Sequence, residues 1–375
     1  MKLIFIANSR IPTERAMGTA IMKQCEAFAK AGITVELVVP RRCNSFAEDP
    51  FVYHRIDPIF KIRYLPSFDL EFLQNQSIRF ILQKLTFFVS LSLYIWKSDA
   101  DILYSREPEL IGPLLTKKKK FVELHHLYGL RLFGKYFLAL CAGVLTITNA
   151  LKEDVVRIFS IPITRIHVAP SGVDLSSFQN VVHKEATRAE LGIVTTKPVA
   201  LYIGSLEEWK GYDVFLKAGR ILKDEVHFVV IGGNAEQVLK LKLKYPEVQF
   251  LGPLPQHNLP NNQQVADVLV VPNSAKELIS ARHTSPLKVF AHMTSGIPIV
   301  ASSTDAIQEV LSSENAILVT PDSPEALAKG VLKAINGNSA TIAMQAKEDV
   351  KKFDWSLRTK GIILYINEFS AEINS

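Results

Sequence analysis

Cysteine is scarce in this chain. Its 375 residues include three, Cys25, Cys43 and Cys141. The number is odd and no Cys-x-x-Cys spacing occurs, which argues against a disulfide framework and for a reducing compartment. Long apolar runs are missing as well. The longest, residues 85–96 (LTFFVSLSLYIW), falls short of the roughly 20 residues that a membrane span needs. The opening MKLIFIA is too short for a secretory leader and reads as a buried strand. No Gly-x-Gly-x-x-Gly follows a strand-like run, which argues against a NAD-dependent enzyme. No basic stripe interleaved with aromatics appears, so a nucleic-acid partner is not expected.

What is present is ordinary in amount and informative in order. Hydrophobic residues make up 48% and charged residues 21%, a globular composition. The formal net charge is +6, which suits an anionic partner: a nucleotide diphosphate or a phospholipid surface. Residues 85–96 read as a buried or half-buried helix. A second reading lays that helix on a membrane surface, with Arg79, Lys84 and Lys97 toward the headgroups. The run Lys117 to Lys120 reads as a solvated turn before a strand, and would also suit anionic lipid.

Strand-like and helix-like runs alternate along the whole length. KLIFIAN reads as a strand buried on both faces. A loop over 9–17 follows, and Gly18 then opens a helical pattern with apolar residues at Ile21, Cys25, Phe28 and Ala29. Gly32 stands where a helix cap belongs, and ITVELVVP is the next strand. Further strands read at 101–104, 121–124 and 144–148, with helices near 75–97, 107–115 and 150–159. The alternation restarts at PVALYIGS and continues through VHFVVIGG, VQFLG, IPIVAS and AILVT. Such alternation implies parallel sheets with right-handed crossovers. The expected fold is α/β, with two Rossmann-like domains whose sheets face a central cleft. The expected boundaries are residues 1–180 for the first domain and residues 181–354 for the second. An amphipathic helix at 355–375 ends the chain.

Four features carry candidate chemistry. Gly18 at a strand–loop–helix junction lets backbone approach a phosphate. Lys210 beside Gly211, in the loop after PVALYIGS, is within reach of a diphosphate. Thr284-Ser285-Pro286-Leu287-Lys288 reads as a helix start, with Thr284 or Ser285 as the cap and free amides behind it that attract anions. His125, in Glu123-Leu124-His125-His126 at a strand end, could hydrogen-bond a sugar hydroxyl or a phosphate oxygen. A satisfied structural histidine is the other reading.

Taken together these segments resemble family 4 of the retaining glycosyltransferases, which have the GT-B fold. PTERAMGTAIMKQCEAFAKAGITVELVVP looks like that family's opening loop and helix, and VELHH like its acidic-x-His element. HVAPSGVDLSSF resembles its Asn-Gly-Val-Asp turn, with Ser171 in place of asparagine. YIGSLEEWKGYDVFLKA is similar to its Gly-Arg…Lys-Gly element. VQFLGPLP and VADVLVVPNS resemble the segment framing the base, and SPLKVFAHMTSGIPIVAS the helix-and-strand element that follows. The resemblance implies that His125 lies at the sugar, that Gly18 and Lys210 meet the diphosphate with the amides of Leu287 and Lys288, and that Phe250 to Gly252 lie near the base. It implies that residues 1–180 are the acceptor-side domain and residues 181–354 the nucleotide-sugar domain, and that the C-terminal helix returns to the first domain. It also implies a nucleotide-diphosphate sugar as donor and no separate cofactor or essential metal. The acceptor would be a glycan or lipid-linked saccharide of the cell envelope. The setting would be the cytoplasm, at most peripheral on the inner face of a membrane.

Two departures stand out. The family's phosphate-binding arginine is Ser205 here. Its two glutamates in a Glu-x7-Glu element fall on His283 and Ala291, and the second normally accepts from the nucleotide ribose. Alanine cannot, and a hydrogen bond to a charged group is worth roughly 1.5–3 kcal/mol. The chain could therefore carry an engineered change at 291, bind its donor differently, or be a degenerate member acting as a partner subunit. A sugar-nucleotide epimerase on the same fold is a further alternative.

Overall fold

The structure, a computed structural model, describes residues 1–44, 46–70, 75–127, 130, 133–179 and 181–371. Two points of the sequence reading, Asn180 at the expected domain boundary and residues 372–375 of the last helix, lie outside the described residues. The chain divides into two compact units. One comprises Met1–Ala169 with Trp355–Ser375, the other Pro170–Asp354.

The first unit is built on seven parallel strands: β1 (Lys2–Ile6), β2 (Thr34–Pro40), β3 (Lys61–Leu65), β4 (Ile102–Ser105), β5 (Lys119–Leu124), β6 (Gly143–Thr146) and β7 (Ile166–Val168). Their order is β3-β2-β1-β4-β5-β6-β7. The central strand β1 shows why the apolar runs are continuous. Ile4 and Ile6 enter one core cluster, while Leu3 and Phe5 enter another on the opposite face. Side chains alternate across a strand, so a sheet covered on both faces requires apolar residues at every position. Helix α1 (Ala16–Lys30) buries Ile21, Cys25 and Phe28. It ends at Ala31, and Gly32 follows at φ +84°.

The edge strand β3 was absent from the sequence reading. Its KIRYL exposes Lys61 and half-exposes Arg63, because an edge strand over one covered face alternates rather than running apolar. Helix α2 (Pro50–His54) lies between β2 and β3, and α3 (Gln76–Lys97) between β3 and β4. The apolar run at 85–96 is part of α3, which has 22 residues and is by length and composition long enough to cross a membrane. That corrects the expectation that the segment is too short. It nevertheless packs Phe87, Leu91 and Ile95 into the core of this unit. The last helix, Trp355–Ala371, lays Ile362, Tyr365 and Ile366 into the same cluster as Leu3 and Phe5.

The second unit has six parallel strands: β8 (Val199–Ile203), β9 (His227–Ile231), β10 (Val248–Gly252), β11 (Val268–Val271), β12 (Ile299–Ser302) and β13 (Ile317–Val319). The order β10-β9-β8-β11-β12-β13 repeats that of the first unit's leading strands, and is the 3-2-1-4-5-6 order of doubly wound sheets. The division between units falls at 169/170, not at the expected 180/181. The SGVD turn is tied to the second unit: the Val173 amide donates to the Phe353 carbonyl at 3.0 Å, and the Ser171 amide to Ser285 Oγ at 2.9 Å.

Candidate functional site

In sheets of this order the strand sequence reverses beside the first strand, and ligands sit beyond the carboxyl ends at that point. In the first unit this is the region between β1 and β4. In the second it lies between β8 and β11. Each unit carries its own set of polar groups there.

In the first unit the loop after β1 leads into α1, and His54 of α2 fastens it. The Thr13 amide donates to His54 Nε2 at 3.4 Å, so Nδ1 carries the proton toward Thr19 Oγ1 at 3.1 Å. Burial lowers the His54 pKa to about 4, keeping the ring neutral as this pairing requires. Gly18 is the third residue of α1. A Cβ there would stand 2.1 Å from the Thr13 methyl, so the glycine lets the loop fold against its own helix. Beside this loop, the Asn8 amide donates to both carboxylate oxygens of Glu107, at 3.0 and 3.2 Å. Burial pushes Glu107 up to about 7. The sequence reading did not single out Glu107. The available signal was an acid two residues beyond the end of the fully buried β4.

His125 follows the last residue of β5, and its Nε2 lies 2.7 Å from Glu123 Oε1. Glu123 is fully buried. Its other oxygen accepts from Arg358 Nη2 at 2.8 Å and Gln24 Nε2 at 3.0 Å, and from the Tyr104 hydroxyl. Arg106 closes the cluster, 3.4 Å from Oε1. Burial alone would raise the Glu123 pKa, but Arg358, Arg106 and His125 outweigh it and hold the group well below the ordinary carboxylate range. Burial, reinforced by Arg106, lowers His125 to about 4. The imidazole is thus neutral, with Nε2–H donating to the carboxylate and Nδ1 left as an acceptor.

In the second unit Lys210 lies in the loop after β8, at the end of the short turn Glu208–Lys210. Its ammonium pairs with Glu207 at 2.8 Å, hydrogen-bonds Ser205 Oγ, and stands 4.8 Å from the Trp209 ring centre. Ser205 therefore occupies the arginine position without supplying a charge. It orients the lysine instead. Gly211 has φ +68°, and a Cβ would approach the Pro272 carbonyl oxygen to 1.8 Å. Only glycine allows this loop to close directly onto the end of β11.

Lys288 supplies the second cation. Its Nζ is buried, has no hydrogen-bond partner among the described residues, and lies 4.8 Å above the Tyr202 ring. Burial, with Lys210 adding like-charge repulsion, lowers its pKa to about 7. A buried ammonium without an acceptor is costly, and an anion would satisfy it. Near it, His292 is buried, with Nδ1 3.3 Å from Gln263 Oε1 and Nε2 unpartnered among the described residues. Burial, with Lys288 adding to it, lowers His292 to about 3. The sequence reading missed this histidine, which its pattern presents as one more core position of a helix.

The segment before that helix departs from expectation. The cap of Leu287–Met293 is Pro286, with no side-chain hydrogen bond. Neither Thr284 nor Ser285 caps it, because Ser285 Oγ is engaged by the Ser171 amide. His283 and Ala291 are both buried, and the Ala291 methyl offers no acceptor. Gly252 ends β10 at φ +77°. Also at the carboxyl end of β11, Asn273 is fully buried with both amide atoms unpartnered among the described residues.

Among the described residues no group of three or more His, Cys, Asp or Glu is placed to hold a metal ion. The triplet Asp99-Ala100-Asp101 has metal-binding spacing but lies at the amino end of β4. There Asp99 pairs with Lys2, and Asp101 accepts from the Lys2 amide at 2.8 Å.

Comparison with known proteins adds the following. Residues 17–177 match the family described as Glycosyltransferase Family 4. Residues 197–337 match the one described as Glycosyl transferases group 1. A D-inositol 3-phosphate glycosyltransferase of Xylanimonas cellulosilytica is 29% identical over 226 residues, 56% of this chain and 52% of the relative. The chain thus spans about half the length of that curated relative. Among solved structures, sucrose-phosphate synthase from Thermosynechococcus elongatus superposes with a TM-score of 0.80 at 18% identity, over 99% of both chains. Anabaena HepE, solved with UDP and glucose, gives 0.74 at 15% identity over 98% of this chain and 100% of that one. At these identities the structural likeness establishes the fold.

Proposed function

The chain belongs to the family 4 glycosyltransferases of GT-B fold, and from that premise we propose that it moves a sugar from a nucleotide-diphosphate donor to a hydroxyl of an acceptor. The observation that carries this reading is the pairing of Lys210 with Lys288, whose buried Nζ lacks a partner among the described residues. Transfer breaks the bond between the sugar's anomeric carbon and the diphosphate oxygen. Negative charge develops on the leaving diphosphate, and two cations fixed beside it stabilise that charge more than the ground state. His125, neutral and oriented by Glu123, accepts a hydrogen bond from a sugar hydroxyl through Nδ1. Among the described residues no side chain at either site is placed as an obvious nucleophile, which suits a front-face transfer with retention.

We further propose a saccharide or lipid-linked saccharide of the cell envelope as acceptor, and a cytoplasmic setting, which the free thiols of Cys25, Cys43 and Cys141 suit. HepE binding UDP-glucose supports the choice of a nucleotide sugar as donor. A second reading, a catalytically degenerate partner subunit, is favoured by Ala291 and Ser205. The deciding experiment incubates the protein with UDP-, GDP- and ADP-sugars and a set of glycan acceptors, and follows release of the nucleoside diphosphate. Release that requires an acceptor, and falls on Lys210→Ala, supports transfer. Nucleotide binding without any release selects the degenerate reading.

A further inference from the structure

Helix α3 is apolar on two opposite sides. Its inner side, with Phe87, Leu91 and Ile95, is buried in the core of the first unit. The side turned away carries Ile81, Leu85, Val89, Leu93 and Trp96, spaced four, four, four and three residues apart. These are 55%, 57%, 59%, 61% and 76% exposed. Residues at this spacing share one face of a helix, so they form a single stripe. At 1.5 Å per residue, α3 runs for roughly 33 Å. Isolated exposed leucines need no explanation, whereas a continuous exposed apolar patch marks an interaction surface. The stripe is widened by Phe68, 64% exposed, whose amide donates to Thr86 Oγ1 on α3 at 3.0 Å.

The charges around the stripe select the partner. Residues 76–97 contain no Asp or Glu. Arg79 and Lys97 lie on one flank and Lys84 on the other, about 100–120° from the stripe at 100° per residue. Arg79 and Lys84 are balanced by Asp69 and Glu109, so the uncompensated charge concentrates at the helix's carboxyl end. There Lys118 Nζ donates to the Ser98 carbonyl at 2.8 Å, which brings Lys117 and Lys118 beside Lys97. The expected four-lysine turn is only these two, since Lys119 and Lys120 open β5 and the buried Lys120 Nζ donates to the Gly112 and Leu114 carbonyls. Of the two acids there, Asp99 is taken up by Lys2. Leu115, two residues before Lys117, is 98% exposed.

We propose that α3 docks the first unit on an anionic lipid bilayer. Its outer stripe would enter the boundary between headgroups and acyl chains, with Lys97, Lys117 and Lys118 at the lipid phosphates. A long apolar face rimmed by cations is the form of an interfacial helix. Its inner face, committed to the sheet, keeps it from spanning. The inference rests on α3 and its surroundings alone and stands or falls independently of sugar transfer.

The test is sedimentation of the full-length chain with vesicles of phosphatidylcholine alone and of phosphatidylcholine mixed equally with phosphatidylglycerol. The expected result is binding to the mixed vesicles, with Trp96 emission shifting to shorter wavelength and the shift absent in W96F. The triple variant V89S/L93S/W96S changes only exposed residues. It should keep the parent unfolding temperature and lose about tenfold or more in vesicle affinity, while K97E/K117E should bind mixed vesicles no better than neutral ones. Equal binding by parent and triple variant, or no binding to either vesicle, overturns the proposal. So does a concentration-dependent dimer of the parent that the triple variant abolishes, which would assign the stripe to a second copy of the chain.

Discussion

Glu123 and Arg358 form a fully buried ion pair, 2.8 Å from Oε2 to Nη2, across 235 residues of sequence. It joins the end of β5 to the C-terminal helix, and the same carboxylate orients His125. Removing one member of a buried pair strands the other charge. Arg358→Met should therefore destabilise the protein by about 3–5 kcal/mol in urea unfolding. The double variant Glu123→Gln with Arg358→Met should recover only part of that loss, because the Glu123 charge is no longer stranded but Arg106 loses its carboxylate partner. A single variant within about 0.5 kcal/mol of the parent would show that the pair is not holding the helix.

Nucleotide-diphosphate affinity should depend on pH through Lys288. With its pKa lowered to about 7 by burial and by Lys210, the free protein holds the proton below pH 7 and loses it above. A bound anion favours the charged form and raises that pKa. Affinity should thus be greatest below pH 7 and fall by up to about tenfold per pH unit above it. Lys288→Met should flatten the profile, and Lys288→Arg should remove the decline while keeping affinity. Calorimetric titration between pH 6 and 9 measures this, and a decline of unchanged slope in Lys288→Met would place the titrating group elsewhere.

Ala291 leaves the nucleotide ribose without a carboxylate acceptor at this position. A291E should raise affinity for a ribonucleoside diphosphate by roughly 10- to 100-fold. The gain should vanish with the 2′,3′-dideoxy analogue. Equal gains for both ligands would mean that the new charge acts by some route other than the ribose hydroxyls.

His54 makes stability pH-dependent. Its folded pKa, lowered to about 4 by burial, lies below the unfolded value of about 6.5. The unfolded chain therefore binds the proton first. This histidine's contribution is fully present above pH 6.5 and is lost progressively as pH falls from 6.5 to 4, by on the order of 3 kcal/mol. His54→Leu should lower stability at pH 7 and reduce the slope of unfolding free energy in that window. An unchanged slope would exclude His54 as its source.

Much of the fold was legible because strands covered on both faces run apolar, as β8 and β11 do throughout and β1 does after Lys2. The edge strand β3 escaped notice because its exposed Lys61 and half-exposed Arg63 break that pattern. Lys210 and His125 stood out through loop position and neighbours such as Gly211, and Lys288 through its place at a helix start, for its amide and not for its buried ammonium. The remainder of the site was not legible, for reasons of distance. No local pattern links Glu123 to Arg358 or Ser171 to Ser285. The second of these contacts is why the expected cap at Ser285 gives way to Pro286. Glu107 and His292 look like ordinary positions in sequence and are distinguished only by burial and by what they lack or find as partners.

The most direct test of the central claim is calorimetric titration of the protein with UDP, GDP, ADP and their sugar conjugates, with Lys210→Ala alongside. One nucleoside diphosphate and its sugar conjugate should bind with heat well above background. Losing one charge-assisted contact of about 1.5–3 kcal/mol should weaken that binding by roughly 10- to 100-fold in the variant. Silence across the whole panel from a protein that unfolds cooperatively, or binding that Lys210→Ala leaves unchanged, would contradict the account.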